Sequence, residues 1–230
     1  MQEYYYYLIA VFGIMILGLI AQARVTSVFN KYSQMASLCG KSAAQVASEL
    51  LSSHGSSVGV ACIQGSLTDN YNPRTGKVSL SQTVYSSSSV AAVAVAAHEC
   101  GHVMQYEQGY TPIVLRNKLL PVANIGARYS YLLVIVGLIM GGLGYYVSLV
   151  GVALFAFAFI FQLITLPVEL DASSRALDML EDGGYLVSSE HASAAQKVLR
   201  AAAFTYFVAV LSSAVTLLRL MSVASSGKRN

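Results

Sequence analysis

Three apolar stretches of this chain carry no charge and together predict four membrane spans; residues 78–98 also lack charge, but their Ser, Thr and Ala content speaks against a span. The first holds 20 residues between Glu3 and Arg24. At about 1.5 Å per residue that length lets an α-helix cross about 30 Å of hydrocarbon. Tyr4, Tyr5, Tyr6 and Tyr7 form an aromatic belt at one interface, and Arg24 closes the other end. Ala21-Gln22-Ala23 resembles a signal-peptidase site. No Lys or Arg precedes the apolar run, however, and the run is long for a signal, so an uncleaved anchor is expected. The second stretch, Tyr129 to Val168, runs for 40 residues, too long for one span and right for two. Gly141-Gly142-Leu143-Gly144 supplies the reversal, which places spans near Tyr129–Met140, extended a little upstream, and Tyr145–Leu166. The third, Ala201 to Leu218, holds 18 residues between Arg200 and Arg219.

Polar patterning returns between these runs. Ser42 to Ser53 reads as a short amphipathic helix, with Ala43, Val46, Ala47, Leu50 and Leu51 on one face. Val58–Ile63 and Val78–Leu80 read as strands around a turn at Asn72-Pro73-Arg74-Thr75-Gly76. Lys77, Val78, Ser79, Leu80 and Ser81 alternate polar and apolar side chains. They are expected to form either a sheet edge that takes an extended peptide substrate or an ordinary surface hairpin. Ser86 to Ser89 offers an N-cap to the helix that follows, Asp182-Gly183-Gly184 stops a helix, and Ser188-Ser189-Glu190 starts another. The expected organisation is an N-terminal anchor over 1–24 and a catalytic region over 25–128, then a two-span hairpin over 129–168. A segment over 169–200, a last transmembrane helix over 201–220 and a tail over 221–230 complete it. The fold class is mainly α, a multi-pass membrane helical bundle of about four spans with a small β-hairpin or sheet in its catalytic region.

Composition agrees. Hydrophobic residues make up 55% of the 230 and charged ones 11%, against about 25% charged in an ordinary soluble domain. A net charge of +3 without a basic run, a zinc finger or an RNA-binding signature excludes nucleic acid as the partner. Cys39, Cys62 and Cys100 form no C-x-x-C pair and no disulfide framework. Arg24, Lys31, Lys41, Arg116, Lys118 and Arg128 flank the region between the first two spans, so the positive-inside rule places 25–128 and 169–200 in the cytoplasm. Lys228 and Arg229 would then lie outside, against the trend.

The chemistry sits in Ala97-His98-Glu99-Cys100-Gly101-His102, an H-E-x-x-H motif. On a helix, His98 and His102 share one face a turn apart and can grip one metal ion, while Glu99 lies about 100° round the helix as the base for a metal-bound water. Cys100 points away and reads as structural. A catalytic zinc takes three protein ligands and keeps a fourth position for water. The candidates for the third are Glu169, His54, His191, Asp171 and the later acids. Glu169 is the best placed, just past the end of a span, although an interfacial Glu paired with Arg128 or Arg175 would look the same. The hairpin of spans returns Glu169 to the side of the membrane that holds His98. His191 and Tyr206 are candidate donors to a transition-state oxyanion.

Asp69-Asn70-Tyr71-Asn72-Pro73, Leu80-Ser81, Ala96-Ala97-His98-Glu99-Cys100-Gly101-His102, Leu166-Pro167-Val168-Glu169, Ala172-Ser173-Ser174-Arg175-Ala176 and Ala201-Ala202-Ala203-Phe204-Thr205-Tyr206 resemble, in this order, the YugP-like neutral zinc metallopeptidases. These are multi-pass membrane proteins of bacteria. More distantly the chain is similar to the HtpX and CAAX-prenyl protease superfamily, where a Glu-x-x-Ala-Asp segment supplies the third zinc ligand. That pattern falls on Glu169-Leu170-Asp171-Ala172-Ser173, so the resemblance implies Glu169 as ligand, with Ser173 where the superfamily has Asp. Asp171 or Ser173 is then expected to support the ligands.

The expected activity is that of a gluzincin-like hydrolase: a membrane-embedded metalloendopeptidase using one Zn2+ per chain. Its expected partners are a protein or peptide substrate and the lipid bilayer of the plasma membrane. A homo-oligomer or a regulatory membrane partner is compatible with it. A zinc-stabilised, non-catalytic membrane scaffold or chaperone is the alternative. Glu99 speaks against the scaffold, because a structural zinc site needs no base. A transporter is disfavoured because none of the site residues lies mid-span.

Overall fold

The computed structural model describes residues 2–37 and 39–226, with side chains from Tyr5 onward. Lys228, Arg229 and the Tyr4 ring lie outside the described residues. In chain order the elements begin with α1 (Gln2–Tyr32), α2 (Ala43–Ser53), β1 (Gly59–Ile63), β2 (Asn70–Asn72), β3 (Lys77–Ser81) and α3 (Gln82–Tyr85). They continue with α4 (Val90–Glu107), α5 (Thr111–Met140), α6 (Gly144–Asp182) and α7 (Ser189–Ser226). Four of these helices, α1, α5, α6 and α7, are long and apolar enough to cross a membrane. The chain divides into two compact units; α1, α6 and α7 contribute to both, and α5 to one.

The apolar unit comprises Met1–Ile20, Thr111–Pro167 and Thr205–Asn230. Here α5 and α6 pack with their backbones in close approach at glycines. A Cβ on Gly126 would lie 2.1 Å from the Leu154 carbonyl oxygen, and one on Gly151 would lie 2.7 Å from that of Ser130. One on Gly137 would lie 2.3 Å from the Gly144 oxygen. Small residues let spans touch where no hydrophobic force drives helix against helix. Ala123, Val134, Phe155, Ala158 and Leu220 form the buried cluster beside these contacts. The Arg219 guanidinium lies 4.6 Å from the centre of the Tyr7 ring, which brings the C-terminal part of α7 beside the start of α1.

Helix boundaries and span boundaries part company here. α5 begins at Thr111, well upstream of Tyr129, and carries Arg116, Lys118, Pro121 and Arg128 inside it. Charge limits how deep a helix sits, not where its hydrogen bonds stop, and proline is tolerated in spanning helices. Likewise α6 runs on through Pro167 and Glu169 to Asp182. The apolar run ends at Val168; the helix does not.

The second unit comprises Ala21–Tyr110 and Val168–Phe204. Its core is built around α4, where Val90 to Ala94, Ala96, Ala97, Cys100 and Val103 are fully buried. The five predicted apolar residues of α2 are buried against it, and a capping box of Ser42 and Gln45 starts that helix. Ser89 caps α4, accepting from the Ala92 N–H. α1 continues past Ala21 to place Phe29 and Tyr32 in the same core.

The sheet corrects one expectation. Its order is β1-β3-β2, with β1 parallel and β2 antiparallel to β3. The turn from Asn72 to Gly76 does join a hairpin, but the hairpin pairs β2 with β3, and β1 lies on β3's other side. Lys77, Val78, Ser79, Leu80 and Ser81 therefore form the central strand. Both of its flanks are already paired, so it has no edge to offer a substrate. Val78 and Leu80 are fully buried, which is what their alternation recorded. Asp69 ties the sheet together, accepting from the Ser81 N–H at 2.8 Å and from its hydroxyl at 3.1 Å.

Candidate metal centre

Two helices build the site. α4 carries His98 and His102 on one face, their ring centroids 4.8 Å apart. α6 lies across them so closely that a Cβ on Gly101 would sit 2.5 Å from the Ala172 carbonyl oxygen. Only glycine fits between the two histidines of the motif on that side. Glu169 then projects onto the imidazoles, its Oε2 3.2 Å from His98 Nε2 and 3.6 Å from His102 Nε2. Ligand atoms of all three residues lie within 4.8 Å of one another. A tetrahedral zinc with bonds of about 2.0–2.2 Å separates its ligand atoms by about 3.3–3.6 Å. Both nitrogens stand at about these spacings from the Glu169 oxygen, so the donor set suits a zinc ion.

The tautomers suit that purpose. The Ser173 hydroxyl donates its one proton to the Glu169 carbonyl, 2.8 Å away, so towards His98 Nδ1, at 3.2 Å, it accepts. Gln105 is fully buried, and its amide nitrogen donates to the Val168 carbonyl and to Asp171 Oδ2, both at 2.8 Å. Its oxygen is thereby turned to accept from His102 Nδ1 at 3.0 Å. These acceptors suit imidazoles that carry a proton on Nδ1 and leave Nε2, on Glu169's side of the site, for a metal ion. Asp171 is held in turn by the Arg175 Nε at 2.5 Å, and Arg175 also reaches the Gln108 side-chain oxygen.

Glu99 is 7% exposed. Burial pushes its carboxyl above the usual range, against the opposing pull of His102 and His98. A carboxylate that holds a proton well is suited to a base that must later return it. For His102 burial disfavours the imidazolium, and the neighbouring Glu169 and Glu99 carboxylates more than offset it, raising its pKa. Cys100 faces the other way, fully buried with its thiol toward the Ala47 carbonyl, and burial pushes that thiol far above the usual range.

With the geometry in hand, comparison with known proteins is decisive. A family described as "Putative neutral zinc metallopeptidase" matches residues 6–225. The chain belongs to this family. It is 40% identical over 209 residues to the "Putative membrane protease YugP" of Bacillus subtilis (strain 168), an alignment covering 90% of this chain and 92% of the relative. No solved structure matches it. The matched range includes His98, His102 and Glu169, the trio that could hold a metal ion.

The remaining expectations sort by position. Ser173 and Asp171 were alternatives as the support for the ligands, and the structure uses both: Ser173 on His98 directly, Asp171 on His102 through Gln105. Arg175 pairs with Asp171 rather than Glu169. His54 ends α2 with Nδ1 2.8 Å from the Leu50 carbonyl oxygen, outside the trio. His191 is held in the first turn of α7 by Ser188, its Nδ1 2.9 Å from that hydroxyl, also outside the trio. Tyr206 lies half-buried in α7, within the apolar unit. Gln105 and Gly101 are the residues that sequence reasoning missed. Gln105 stands three residues after His102 on the same helix face, a spacing that could have flagged it.

Proposed function

We propose that this protein is a zinc-dependent metalloendopeptidase of the plasma membrane that hydrolyses peptide bonds in membrane or membrane-proximal proteins from the cytoplasmic side. The observation that carries the reading is the convergence of His98, His102 and Glu169 beside a buried Glu99. His98, His102 and Glu169 would hold the ion with three ligands, the number that a catalytic rather than a structural zinc site uses. Zinc, when bound, lowers the pKa of a water to about 7 and polarises a carbonyl. With zinc held there, Glu99 would be the base that takes the attacking water's proton and returns it to the leaving amine. Ser173 and Gln105 keep both imidazoles in the ligating tautomer throughout. Burial of Glu169 and Glu99 keeps bulk water from competing for them.

Metal content and cleavage of an unfolded model protein, measured together, test the reading. Glu99→Gln keeps about one zinc per chain and loses cleavage by a factor of about 10^2–10^4, the usual contribution of a general base. Glu169→Ala loses the zinc itself. Zinc-loaded wild type without any cleavage would favour the scaffold reading, and full cleavage by Glu99→Gln would remove Glu99 from the mechanism.

A further inference from the structure

A full crossing by α5 would carry Arg128, counted above among the cations flanking the span, into the bilayer. α5 ends at Met140, where the chain reverses through Gly141, Gly142 and Leu143 into α6. A crossing of about 20 residues that ends at Met140 begins near Pro121. Arg128 then lies about 18 Å from the Met140 end and about 10 Å from the other, at 1.5 Å per residue. Packing within the apolar unit agrees. The close contacts of Ser130 with Gly151 and of Gly126 with Leu154 bracket Arg128 at the level of residues 151–154, inside the charge-free run of α6.

Arg128 is exposed on the protein surface. Its guanidinium lies 5.5 Å from the Tyr129 ring centre, and among the described residues it has no ion pair. It is not isolated on its helix. Asn117, Pro121, Asn124 and Arg128 follow at intervals of four, three and four residues, which is one face of α5. Asn124 is exposed too, and Pro121, lacking an N–H, leaves the Asn117 carbonyl without its helical donor. A polar stripe thus runs from the expected cytoplasmic end of the span to about a third of the way across it. Such groups are costly against lipid and normally face a polar partner.

Charge decides which partner. The chain has no Asp or Glu between Glu3 and Glu49, between Glu107 and Glu169, or after Glu190, so none of its spans carries a carboxylate. A second copy could bring only another Arg128 to this depth. We propose that the α5 face of Asn117, Asn124 and Arg128 docks a transmembrane helix of another protein that carries an aspartate or glutamate near its middle. The carboxylate pairs with Arg128, and the two asparagines and the Asn117 carbonyl supply hydrogen bonds along the helix. The proposal does not rest on the metallopeptidase reading, because its test reads association rather than cleavage.

The full-length protein in phosphatidylcholine vesicles, donor-labelled, is titrated with an acceptor-labelled single-span Leu/Ala helix bearing one central Glu, Gln or Leu. The Glu helix associates about tenfold more tightly than the Leu helix, the scale of one good interhelical hydrogen bond. Arg128→Leu removes that preference, and Arg128→Lys keeps most of it. Equal association of the Glu and Leu helices with wild type means that Arg128 merely reaches for the interface, and overturns the proposal. So does a preference that survives in Arg128→Leu. If phosphatidylglycerol in the vesicles abolishes the preference and is itself enriched around wild type but not around Arg128→Leu, the face is a lipid site and the proposal falls.

Discussion

At the scale of single residues, the site depends on side chains that never touch the ion. Gln105 has no freedom of orientation: a carbonyl and a carboxylate claim its nitrogen, so its oxygen must face His102. Gln105→Leu removes the acceptor from His102 Nδ1 and leaves Asp171 Oδ2 without that donor. Zinc affinity, read by competition with a chromophoric chelator, should fall about 10–100-fold, as for other partners of metal-bound histidines. Gln108→Leu, at the outer end of the same chain of contacts, should leave affinity close to wild type. Glu169 was legible from its place at the end of an apolar run. The spacing of Gln105 from His102 marks only a shared helix face, and its role emerges once the groups that claim its amide are known.

Among elements, the decisive contact is α4 on α6. Gly101 allows the Ala172 carbonyl to approach within reach of the motif helix, and this approach brings Glu169 onto the histidines. Gly101→Ala forces a Cβ to within 2.5 Å of backbone that cannot rotate away. Overpacking of this kind typically costs about 1–3 kcal/mol. The expected outcome is a lower thermal midpoint together with reduced zinc occupancy, whereas Cys100→Ala, whose thiol faces α2, should lower the midpoint with occupancy retained. The strand Lys77–Ser81 teaches the opposite lesson. Its alternation identified it as a strand with one buried face, and that was right. Whether a strand is central or an edge depends on its neighbours, and β1 joins β3 in parallel from across an intervening strand, a pairing that no local pattern announces.

For the molecule as a whole, four crossings place every segment of the site unit on one side of the membrane. The native cysteines can report which side. Cys62 is exposed, Cys39 half-buried and Cys100 buried. In intact cells carrying the Cys39→Ser variant, a membrane-impermeant maleimide should leave Cys62 unlabelled and label it only after permeabilisation. Labelling of intact cells would reverse the orientation and with it the cytoplasmic site.

By itself the sequence determined the number of spans, the metal-ligand pair on α4, and the return of Glu169 to the side of its partners. Each follows from a property written locally: charge-free length, helical spacing, and parity of crossings. Tertiary structure alone decided the order of the sheet, the contacts of Ser173 and Gln105 with the two histidines and the close approach of α6 to Gly101. Those depend on which surfaces meet, and a buried amide, a paired strand or a helix glycine takes its meaning from the group placed opposite it.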